Sequence, residues 1–279
     1  MNLRKEGLFI MTYSIAAGFS QAAIASEGTA SLDWSQLQLS VAGMNGSAPT
    51  LTFTDQTTNL RSSVSIPGQA IRNDATSLSD WTSSEDTNVQ VGSTFSNALA
   101  SSLSLSGSAE TNPEPVEPDH THHPVEALAS GSRSANFSLD GPGVLTVSVP
   151  YNISIAGGRP FNFFDAISAT VTGNSSFNNS VNNPVSFSLS SFEEGGSPGS
   201  QSGNLVFDIV AAEAGSGNFE LRFDLSSQAP AVPIPEPESY AMLLAGLGLI
   251  SVVARRGLHD CPDGKYGCSH PQAPRSYKC

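Results

Sequence analysis

The sequence predicts an all-β body, an antiparallel β-sandwich or jelly roll, carried between an N-terminal signal helix and a C-terminal hydrophobic helix. Three observations carry this expectation. Apolar and polar residues alternate with period two in several short segments, which turns one face of each strand inward and leaves the other in water. Those segments are divided by clusters of Gly, Asn, Ser and Pro, the residues that make turns and break helices. Helical sequence is largely confined to the two ends, and both ends are apolar.

The first element, residues 1–25, opens Met1-Asn2-Leu3-Arg4-Lys5, continues as a mainly apolar run from Gly7 to Phe19, and closes on Ala23-Ile24-Ala25. A basic head, an apolar segment too short to span stably and an A-x-A exit are the three parts of a secretory signal peptide, the substrate of the Sec export machinery. Cleavage after Ala25 would leave Ser26 as the new first residue.

The body, residues 26–230, begins with candidate strands at Leu32 to Val41, Leu51 to Thr54 and Phe95 to Ser106. A Pro-rich acidic loop then occupies residues 110–126. Pro113, Pro115, Pro118 and Pro124 exclude both a helix and a central strand there. The loop is expected to lie within one sandwich, since the half before it has few large apolar residues to build a core of its own. Beyond it come Ala135 to Leu139, then Val144 to Ile155, where Leu145, Val147, Val149, Tyr151, Ile153 and Ile155 mark one face. Ala166 to Thr172 and Val185 to Phe192 follow. Asn204 to Ala212 and Asn218 to Ser226, joined across Gly215-Ser216-Gly217, read as a hairpin.

The last apolar element lies within residues 232–256. Val232-Pro233-Ile234-Pro235-Glu236-Pro237 is forced to be extended by its prolines. The uncharged run from Tyr240 to Ala254 would rise about 22 Å as a helix, short of the roughly 30 Å hydrocarbon core. Local thinning and snorkelling allow such a transmembrane helix to insert, and Arg255-Arg256 then stays cytoplasmic, with everything N-terminal outside. The two ends therefore agree on the direction of export.

Pro235-Glu236-Pro237, an apolar run of the form Met-Leu-Leu-Ala-Gly-Leu-Gly-Leu from Met242, and the Arg255-Arg256 pair resemble the PEP-CTERM sorting signal of Gram-negative bacteria. The resemblance covers about 25 of the 279 residues. It implies processing by an exosortase, a membrane transpeptidase-like protease, with the helix removed and the body passed to the cell surface or extracellular matrix. It also implies association with exopolysaccharide and biofilm material. A spacer followed by a hydrophobic tail marks processing, so the mature protein need not span the membrane. One departure stands out: residues 257–279 form an atypical cytoplasmic tail, and they hold all three cysteines, Cys261, Cys268 and Cys279. These lack the paired Cys-x-x-Cys spacing of a zinc knuckle, and the exported body, free of cysteine, cannot rest on disulfides.

From Ser26 to Pro237 five arginines and no lysine stand against 21 acidic residues, a formal charge of -16. Such a surface repels nucleic acid and anionic headgroups, so no nucleic-acid partner is expected.

Candidate chemistry in the body is thin. Asp119-His120-Thr121-His122-His123 holds metal-ligand types, but without a rigid frame His120, His122 and His123 would form at best a weak site. Asp74, Asp80, Glu85 and Asp86 lack the spacing of a calcium loop. There is no His-Glu-x-x-His, and Glu193-Glu194, followed by Gly195-Gly196-Ser197-Pro198-Gly199, sits on an apparent flexible loop. Trp34 and Trp81 could stack on sugar rings, although two tryptophans in such a body more often anchor a core. The expectation is an exported, non-enzymatic surface or matrix protein with no catalytic residues, no cofactor and no metal. The alternative is a carbohydrate-binding or carbohydrate-active β-sandwich.

Overall fold

A computed structural model describes residues 25–44, 46–113, 115–116, 123–157, 166–191, 198–233, 242 and 244–251. In chain order the strands are β1 (Ser26–Asp33), β2 (Gln38–Gly43), β3 (Leu51–Ser65), β4 (Arg72–Leu78), β5 (Glu85–Val91), β6 (Thr94–Ala100), β7 (Ser104–Thr111) and β8 (Pro115–Val116). They continue as β9 (Val125–Leu139), β10 (Gly143–Ala156), β11 (Ile167–Phe177), β12 (Ser180–Val181), β13 (Val185–Ser190), β14 (Gly199–Ala211), β15 (Gly215–Ala229) and β16 (Val232–Pro233). The first compact unit of the chain ends at Pro233, and a second begins at Ile234.

Two antiparallel sheets result. The first runs β14-β10-β1-β7-β6-β5, with β2 also on β10; the second runs β12-β11-β15-β9-β3-β4, with β13 also on β11. Strands from before and after the Pro-rich segment are interleaved in both sheets. Their inner faces bury Leu32, Leu105, Leu145, Ile153, Phe137, Phe219 and Phe223 between them, as alternation demands of a sandwich. Packing is close at Phe223. A Cβ on Gly107 of β7 would come within 2.6 Å of its ring and one on Gly131 of β9 within 2.5 Å, so two facing glycines make the ring's slot.

Several expected elements change shape. The segment from Leu32 to Val41 is not one strand: the 3-10 turn Trp34–Gln36, N-capped by Asp33, separates β1 from β2. Both nevertheless pair with β10, Leu32 opposite Tyr151 and Gln38 opposite Ser148. The turn's insertion carries Trp34 into the core. Phe95 to Ser106 divides into β6 and β7, which pair with each other, because Ser101 closes a turn onto Ser104. The expected β14–β15 hairpin is overturned. β14 pairs with β10 in one sheet and β15 pairs with β9 and β11 in the other, so the connection arches between sheets. Both strands have an apolar inner face, which suits an arch as well as a hairpin.

Candidate functional site

The features expected to carry function lie where the chain enters and leaves the sandwich. Ser26 opens β1 opposite Thr111, the last residue of β7. Ser227 of β15 donates its hydroxyl to the Ser26 carbonyl at 2.7 Å and stands 2.8 Å from the Thr111 hydroxyl. All three residues are buried, so this hydroxyl cluster satisfies polar groups that water does not reach. Alongside, Gln228 donates its backbone N–H to the Ala166 carbonyl at 2.8 Å and its side-chain amide to Glu126 at 3.1 Å. Ser26 and the last residues of β15 are thus held at one end of the sandwich.

In the sequence, Ala23-Ile24-Ala25 immediately precedes Ser26 of this cluster. Ala23 lies outside the described residues, while Ala25 and Ser26 lie within them. Gly157 has φ +81°, and a Cβ there would come within 2.1 Å of the Ala25 carbonyl. The backbone at the Ala25–Ser26 bond is therefore packed against a position that only glycine fills without strain.

On the outgoing side, β15 ends at Ala229 and β16 pairs in parallel with β8 of the Pro-rich loop, Val232 opposite Pro115 and Pro233 opposite Val116. Prolines on both partners remove backbone donors, which fits a ladder of only two residues. Pro235, Glu236, Pro237, Arg255 and Arg256 lie outside the described residues. Met242 and residues 244–251 are helical, with Met242, Leu244, Leu247, Leu249 and Ile250 exposed. Among the described residues no helix is long and apolar enough to cross a membrane.

The remaining candidates are scattered. His120 and His122 lie outside the described residues, as do Glu193, Glu194 and the three cysteines, while His123 is exposed. Asp74 accepts from the backbone N–H of Asn88 at 3.0 Å, tying β4 to β5, and Glu85 and Asp86 are exposed on β5. Asp80 accepts from the N–H groups of Thr82 and Ser83, at 2.7 and 2.6 Å, and from both their hydroxyls. These bonds, those of Ser83 first, hold its carboxyl down at about 2. Among the described residues no group of three or more His, Cys, Asp or Glu is placed to hold a metal.

Both tryptophans are core anchors rather than exposed platforms. Trp34 and Trp81 are 8% and 7% exposed, meet edge to face with centroids 5.0 Å apart, and Trp81 donates its indole N–H to the Ser134 carbonyl at 3.1 Å. Sequence reasoning missed their partner, Arg133. Its guanidinium is fully buried, 4.7 Å over the Trp34 ring, with Nη2 donating to the Ser101 carbonyl at 2.7 Å and Nε to the Thr58 hydroxyl at 3.3 Å. Nη1 has no hydrogen-bond partner among the described residues, and burial pulls the group's pKa down to about 10. The signal was its parity: Ala127, Ala129, Gly131 and Ala135, which share its face of β9, all point inward.

A family model for the PEP-CTERM protein-sorting motif matches residues 233–257, a span that includes Pro235-Glu236-Pro237 and Arg255-Arg256. No curated protein and no solved structure matches the chain. The chain thus carries a PEP-CTERM sorting motif, which makes it an exported protein with an exosortase as its processing partner and its C-terminus as a transient membrane anchor.

Proposed function

We propose that this PEP-CTERM protein works as its β-sandwich alone. The Sec machinery exports the chain, signal cleavage after Ala25 frees Ser26, and exosortase processing at Pro235 to Pro237 removes the hydrophobic helix. The body then resides on the cell surface or in the extracellular matrix as a non-enzymatic component associated with exopolysaccharide and biofilm. The observation that carries this reading is the position of the motif: it begins at residue 233, four residues past the end of β15. A cut within Pro235 to Pro237 therefore leaves every strand of both sheets on one fragment. The acidic, lysine-free body supports the reading further, because it stays soluble and avoids anionic membrane surface once released.

Intact-mass analysis of protein recovered from the producing cell tests it. A species running from Ser26 to about Glu236 is expected, and a full-length species still carrying Cys279 would overturn the proposal.

A further inference from the structure

The outer face of the second sheet holds a trough that the sorting reading leaves without a role. Register places Arg61 of β3, Ser130 of β9, Asp224 of β15 and Thr170 of β11 in one row across four strands. At about 4.8 Å per strand, Arg61 and Asp224 stand roughly 10 Å apart at the backbone, wide enough for a sugar ring and its hydroxyls. These residues and Arg222 line an open cavity of about 310 Å³, with Leu128, 38% exposed, as its apolar patch.

The polar groups here are held but incompletely used. Asp224 takes both bonds from Arg222, Nε at 2.9 Å and Nη2, on the single oxygen Oδ1. Oδ2 is left with no hydrogen bond among the described residues. Across the row Arg61 makes neither a hydrogen bond nor an ion pair among the described residues, and its side chain is exposed. A fixed acceptor therefore faces a forked donor over a hydroxyl-bearing floor with one apolar patch. A pyranose asks for that combination: its hydroxyls donate to a carboxylate and accept from a guanidinium, while its C–H face covers an aliphatic side chain. Arg222 is offset by Asp224 and Glu220, and the body around the trough is strongly acidic, so a polyuronate is repelled at long range.

We propose that this trough is a binding site for a neutral glycan, read by Arg61, Asp224 and Leu128. The proposal rests on the exopolysaccharide association above and names the class of sugar. Affinity electrophoresis of the protein recovered from the producing cell, in gels containing a neutral glucan, galactan or mannan or the acidic polymer alginate, tests it. Retardation by a neutral polymer is expected. It should weaken about tenfold in Arg61→Ala and in Asp224→Asn, the effect of one charged hydrogen bond. Both substitutions are at the surface, and unchanged thermal unfolding confirms the fold. Retardation in alginate alone, in no polymer, or equally in wild type and both variants overturns the proposal. Intact masses of the same samples separate the two readings. Termini at Ser26 and about Glu236 with no glycan binding sink only the trough, whereas unprocessed termini sink the sorting reading whatever the gels show.

Discussion

At the residue scale, the loop that packs against the aromatic end of the core depends on Asp80. Its carboxyl gathers bonds from two residues and its carbonyl accepts from the Thr58 hydroxyl at 2.7 Å, the same hydroxyl that accepts from Arg133. Because its folded pKa is depressed from the ordinary 3.8 to about 2, the stabilisation is fully present above pH 3.8 and is lost as pH falls through 2. Asp80→Asn should therefore melt below wild type at pH 6, with the gap closing as pH approaches 2; a gap independent of pH would show that the charge is not what the loop uses. Arg133 illustrates the opposite case. A buried cation with no carboxylate in contact among the described residues is held by a carbonyl, a hydroxyl and an indole face, and its lowered pKa records what burial costs it.

At the scale of the elements, the strongest strands were legible because their alternation is strong. β10 and β15 bury every second residue along nearly their whole length, and both appear in the sequence as uninterrupted period-two runs. β4 and β5 escaped notice: Arg72-Asn73-Asp74-Ala75-Thr76-Ser77-Leu78 has no apolar face, and β5 buries only Thr87 and Val89. They form because the edges of β3 and β6 supply backbone partners, a cause that lies outside their own residues. Glycines inside strands were equally silent, yet Gly107 and Gly131 fix where Phe223 sits. Gly131→Ala should lower stability by about 1–3 kcal/mol through overpacking, as measured by urea unfolding. A neutral result would mean that the ring has another rotamer to take.

For the whole molecule, topology constrains when the proposed cleavage after Ala25 could occur. β1 is an internal strand, paired on both sides by β10 and β7, and the Ala25 carbonyl is packed against Gly157. A protease needs an extended, accessible segment, so the cleavage after Ala25 proposed above would have to come before β1 docks. Full-length chain that has been refolded should accordingly be cut after Ala25 far more slowly by signal peptidase than the same chain presented unfolded. Equal rates would show that β1 frays readily at its start. The outgoing end is different, since β15 stops at Ala229 and only the two-residue pairing of β16 with β8 follows before the motif.

Taken alone, the chain's order of residues determined the C-terminal sorting motif, the β class of the body and the parity of its best strands, because each is written in contiguous residues whose physics is local. Tertiary structure decided the rest: that β14 and β15 part into different sheets, that Arg133 lies under Trp34, that Ser227 closes over Ser26, and that Arg61 shares a row with Asp224. Those contacts join residues far apart in the chain, and they follow from which edges and faces find one another when the two sheets close on a common core, which no single segment specifies.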